Sequence, residues 1–165
     1  MVIRTLHGIQ LLPRDILEFS ILMEERIYHL YENFATVVKD PKTKEIFSLF
    51  ADEKYKHKGV FQKLLTGSSK EIYESSADPE HIEFLTAQIN STIFSKKFMI
   101  EKLKRIRDPE SSFEFLISIE LDQILFYSEI RDLFIEEHKY LLDEIIDEKR
   151  RHFVRVMQIK QMKGY

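Results

Sequence analysis

Cysteine is absent from the 165 residues, which excludes disulfides, thiolate metal sites and thiol nucleophiles together. Glycine and proline are scarce, four of each, so chain reversals have few marked places to occur. No stretch of about 18 apolar residues occurs, and no membrane-spanning helix is expected. The opening MVIRTLHGIQLLPRD lacks the long apolar core of a signal peptide. These absences give the expectation of a soluble, cytoplasmic protein. The net charge of −3 is too small to imply a polyanionic partner. What remains is 44% hydrophobic and 32% charged, a balance that argues against disorder. It fits one compact domain over residues 1–165 with a sizeable core.

The prolines carry positional information. Three stand in Asp-Pro pairs: Asp40-Pro41, Asp78-Pro79 and Asp108-Pro109. An aspartate side chain accepts from the free amides of a first helical turn, and proline at the first position gives up no needed donor. Each pair therefore reads as a helix start, and Pro13 opens another. The resulting map has helices near 13–39, 41–66, 79–107, 109–137 and 139–162. Gly67 reads as the stop of the second helix, followed by the polar linker GSSKEIYESSAD. No segment sustains period-two alternation, so the fold class is all-α. A helix of about 26 residues is roughly 39 Å long. Such helices joined by short turns predict an antiparallel bundle.

One motif is written twice. DEKYKH at Asp52–His57 returns as DEKRRH at Asp147–His152. With the two lysines superposed, Phe47, Phe50, Lys54, His57, Phe61 and Leu64 match Leu142, Ile145, Lys149, His152, Val156 and Ile159. The spacings of three and four place each row on one helical face, with a Lys and a His carried inward among apolar residues. The preceding helices correspond as well. Leu17, Ile21, Glu24, Tyr28 and Tyr31 match Phe113, Ile117, Glu120, Ile124 and Tyr127. Each is an apolar stripe holding one carboxylate, with a tyrosine nearly two turns further on the same face. The chain reads as a duplicated helical hairpin with a long helical crossover between the copies.

This pattern resembles the rubrerythrin family of ferritin-like di-iron carboxylate proteins, over residues of about 15–66 and 110–160. The resemblance implies a ferritin-like four-helix bundle in which two helices give one Glu each and their partners give Glu-x-x-His. Glu24 and Glu120 match the single carboxylates, His57 and His152 match the histidines, and Tyr31 and Tyr127 match tyrosines beside the site. The resemblance does not extend to the rubredoxin-like tail of full rubrerythrins, which is not expected in these 165 residues because they hold no cysteine. The residues three before each histidine depart from the pattern: they are Lys54 and Lys149, where glutamate is expected. An ammonium has no lone pair to give a metal.

Two readings follow for function. In the first, the di-metal site is altered and holds one ion, iron or zinc, through Glu24, His57, Glu120 and His152, or holds none. The role is then binding or scaffolding connected with iron or oxidative stress, as the resemblance implies. Two glutamates with two lysines balance charge as four carboxylates with two divalent ions do, and buried charge must be balanced. In the second, Glu53 and Glu148, four residues before the histidines, serve as replacement ligands of a working di-iron oxidoreductase, a peroxidase or iron oxidase. Whether the protein is an enzyme stays open between them. His29 reads as peripheral, and His7, His81 and His138 have no evident partner in the sequence.

The basic residues of the last helix, Lys149, Arg150, Arg151, Arg155, Lys160 and Lys163, read as a solvated face sooner than as a nucleic-acid patch. The crossover segment has apolar residues on more than one face: Ile82, Phe84, Leu85, Ile89, Ile93, Phe94 and Phe98. That excess predicts a homodimer.

Overall fold

A computed structural model describes residues 13–67, 78–91 and 108–165, with positions 97, 100, 101 and 104 between the last two. All regular elements among them are α-helices: α1 (Pro13–Val37), α2 (Pro41–Thr66), α3 (Pro79–Ser91), α4 (Pro109–Arg131) and α5 (Glu136–Met162). The described residues fall into two compact units, one carrying α1 and α2, the other α3, α4 and α5. None of the helices is long and apolar enough to cross a membrane.

The Asp-Pro starts form as the residue chemistry requires. The Asp40 carboxylate accepts from the Thr43 amide at 2.9 Å and from its hydroxyl at 2.6 Å. Asp108 accepts from the Ser111 amide at 2.8 Å, and the Ser111 hydroxyl contacts the Asp108 amide in return, a reciprocal cap. Asp78 accepts from the Glu80 amide at 3.1 Å. Gly67 closes α2 as expected, its amide donating to the Lys63 carbonyl at 2.8 Å. Its φ of −78° is open to any residue, so the glycine serves clearance. A Cβ there would stand 2.9 Å from the Lys63 oxygen.

The boundary between α4 and α5 differs from the sequence reading. A break at 138 was expected, but α4 ends at Arg131 and α5 begins at Glu136. The connection lacks glycine and proline, and it contains the buried pair Leu133 and Phe134. Packing holds this turn, so the usual turn residues do not mark it. Arg131 pins it with a two-pronged contact to Asp143, Nε to Oδ1 at 2.5 Å and Nη2 to Oδ2 at 2.9 Å.

Within the first unit, α1 and α2 run antiparallel, since partners approach the turn from both sides. Glu25 meets Lys58 at 2.6 Å, and Tyr31 and Phe34 meet Phe47 nearer the turn. In the second unit α4 and α5 pair the same way, with Glu114 against Lys160 and Arg131 against Asp143. α3 lies against α4, where His81 Nε2 is 3.0 Å from Glu129 Oε2. Leu85 and Ile89 of α3 are buried and Phe84 is exposed. Ile93, Phe94 and Phe98, on which the expected dimer surface partly rests, lie outside the described residues.

Candidate metal-site positions

The apolar rows face inward as their spacing predicts. On α2 the buried residues are Thr43, Phe47, Phe50, Ala51, Lys54, His57 and Phe61. On α5 they are Leu142, Ile145, Ile146, Lys149, His152, Val156 and Ile159. Leu64 is half-buried, at the end of its row. The two lysines share these faces with bulky apolar neighbours, and each has 0% exposure. Glu53 and Glu148 are half-buried at the edges of the same helices. A residue one position before an inward-facing one is turned about 100° from it, which is why glutamate and lysine cannot both hold the centre of the face.

Each hairpin assembles the same three kinds of residue. In the first, Glu24 on α1 is fully buried, and its Oε2 stands 3.7 Å from His57 Nδ1 on α2. In the second, Glu120 Oε2 stands 3.8 Å from His152 Nδ1, with Glu120 equally buried. The tyrosines lie where the repeat placed them, Tyr31 and Tyr127 both wholly buried. Lys54 Nζ is 5.6 Å from the Tyr31 ring centre and Lys149 Nζ is 4.7 Å from that of Tyr127. A desolvated ammonium over an aromatic face is attracted by the ring quadrupole. Glu24, Lys54, His57 and Tyr31 thus gather in one hairpin, and Glu120, Lys149, His152 and Tyr127 in the other.

The halves differ in one polar group. Lys149 Nζ donates to Gln123 Oε1 at 2.5 Å, and Gln123 is fully buried on α4. The matching position in the first hairpin is Ile27, also fully buried. Gln123 was not among the residues picked out from the sequence. The signal was present, a polar residue three after Glu120 on the inward stripe, where the repeat otherwise holds an isoleucine. His29 is peripheral as expected, exposed and 3.4 Å from Glu32. His81, which had no evident sequence partner, finds Glu129.

A family model described as Rubrerythrin matches residues 15–160, nearly the whole chain and both hairpins. The chain belongs to the rubrerythrin family. A crystal structure from Thermotoga maritima, described as of a ferritin-like diiron-carboxylate protein, shares its fold. The TM-score is 0.66 at 21% identity, covering 94% of this chain and 98% of that one. The ferritin-like helical bundle expected from the duplicated hairpin is therefore the fold. No curated protein matches the chain.

Rubrerythrin-like proteins as a class carry di-iron carboxylate sites, which makes the donor set at these positions the test of fit. The residue three before each histidine is a fully buried lysine. Within neither hairpin do three His, Asp or Glu side chains of the described residues come together as a group able to hold a metal ion.

Proposed function

We propose that this rubrerythrin-family protein has exchanged its di-iron ligands for a buried charge cluster in each hairpin, and acts by binding or as a scaffold. The observation that carries the reading is the complete burial of Lys54 and Lys149 on the histidine-bearing faces, with a buried glutamate–histidine pair in the same hairpin as each. Such a donor set does not fit a pair of irons. An ammonium gives no lone pair, and it repels a divalent cation placed next to it. The charge of each lysine does locally what a metal does in the parent pattern, offsetting a carboxylate withdrawn from water. Glu24 with His57, and Glu120 with His152, keep the donor types that suit a single zinc or iron ion, which stays within this reading.

The competing proposal is a di-iron oxidoreductase using Glu53 and Glu148. It needs both to turn inward and both lysines to turn away, against the apolar rows that place Lys54 between Phe50 and His57. Metal analysis separates the two. Protein produced with iron and zinc available is expected to hold well under two irons per chain and to lack the visible band of an oxo-bridged pair. Two tightly held irons, whose removal by chelator costs helical structure, would overturn the altered-site reading.

A further inference from the structure

The outer face of α5 is unlike the outer face of any other helix among the described residues in its charge order. Glu136, Glu137, Glu144 and Asp147 are exposed on its first half, and Arg150, Arg151 and Arg155 on its second. Acidic residues early and basic residues late suit the helix macrodipole, but that effect fades beyond the first and last turns. Here the change of sign falls between Asp147 and Arg150, in the middle of the helix. The macrodipole therefore does not account for it.

The same face has the spacing of a pairing seam. Tyr140, Glu144, Asp147, Arg151, Val154 and Gln158 recur at alternating steps of four and three, all of them exposed. Tyr140 is 58% exposed and Val154 50%. Arg150, Arg151, Val154, Arg155 and Gln158 line a hollow on this face.

We infer that the outer face of α5 is a self-complementary docking surface for a second copy of this chain, paired antiparallel about a two-fold axis near Lys149. In that register Asp147 meets Arg151 of the second copy, and Arg151 meets its Asp147. Glu144 falls beside Val154 and Arg155. Tyr140 falls opposite Gln158, over the hollow between the arginines, where its ring can take a guanidinium on its face. A parallel pairing would set acid against acid and base against base along the whole seam. The sign order thus selects one orientation and one partner, and the two-fold axis makes every contact occur twice. Asp147 now pairs with Arg150 of its own helix at 2.9 Å, an exposed bond that a second copy can replace at little cost. This surface differs from the crossover segment that the sequence pointed to, and it does not depend on whether metal binds.

The test is the mass of the full chain by sedimentation equilibrium at low and high salt. The parent is expected to be a dimer at low salt that weakens as salt screens the seam. Arg151→Glu and, separately, Asp147→Arg each set like charges together twice, and each should raise the dissociation constant by on the order of tenfold or more. Combining Asp147→Arg with Arg151→Glu in one chain reverses both ends of each pair and should restore the dimer. Mixing the two single variants should give a heterodimer. Should Arg151→Glu lose helicity, Glu144→Arg repeats the test against Arg155. A parent that stays monomeric at high concentration, or a dimer that ignores the single variants, overturns the inference. So does a monomer whose basic half binds duplex DNA in an Arg151-dependent way.

Discussion

A lysine with no solvent contact keeps its charge only where neighbours replace the water it has lost. Lys149 has part of that replacement in Gln123, whose amide oxygen accepts a hydrogen bond from Nζ, and in the face of Tyr127. Lys54 has isoleucine where its counterpart has glutamine. The difference yields a prediction within one hairpin. Gln123→Ile copies the first half of the repeat into the second and deletes a hydrogen bond to a charged group. Urea unfolding should show a loss of about 1.5–3 kcal/mol. No change would mean that Lys149 is held without Gln123. The inward placement of both lysines was legible in the sequence, because the apolar residues at steps of three and four fix the helix rotation. Gln123 was not, since a single glutamine on a stripe looks like any polar residue until the group it serves is in place.

Helix boundaries show the same division. Asp40, Asp78 and Asp108 announced their helices because capping is a local contact between side chain and backbone, within three residues. The α4–α5 turn announced nothing, because Leu133 and Phe134 hold it through burial in their unit and Arg131 through a distant aspartate. Contacts between residues far apart in sequence leave no local mark. The hydrogen bonds from Arg131 hold the Asp143 carboxyl below its ordinary value. A carboxylate with a depressed folded value adds stability above its unfolded value, about 3.9, and loses that contribution as pH falls through the folded one. Asp143→Asn should therefore lower the melting temperature near neutrality. The gap to the parent should close as pH falls below the ordinary aspartate range. The pair is partly exposed, so the effect is modest and shrinks in salt. A gap that is constant from neutral to acid pH would show that Asp143 contributes by packing.

For the whole molecule, family and charge together frame the central claim. Residues 15–160 match the rubrerythrin family, and a buried glutamate, histidine and tyrosine recur in both hairpins. On the proposed reading only the position three before each histidine departs from the pattern, and it departs twice, to the same residue. A single lysine on an inward face would leave charge unbalanced in one hairpin. Two lysines balance two glutamates, so the paired exchange is self-consistent as a replacement for metal. The sequence carried this much because duplication writes the same helical face twice.

The most direct measurement is the thermal stability of Lys54→Glu with Lys149→Glu, with and without ferrous iron under anaerobic conditions. The double variant restores Glu-x-x-His on both helices. Without metal its added carboxylates stand buried in the same hairpins as the buried Glu24 and Glu120, so it should melt well below the parent near neutral pH. An ion bound only by the folded state adds RT ln(1 + [L]/Kd), so iron should recover that loss in the double variant and do far less for the parent. Each single variant should fall between. A double variant as stable as the parent and indifferent to iron would contradict the account, for then Lys54 and Lys149 do not stand where the family's metal ligands stand.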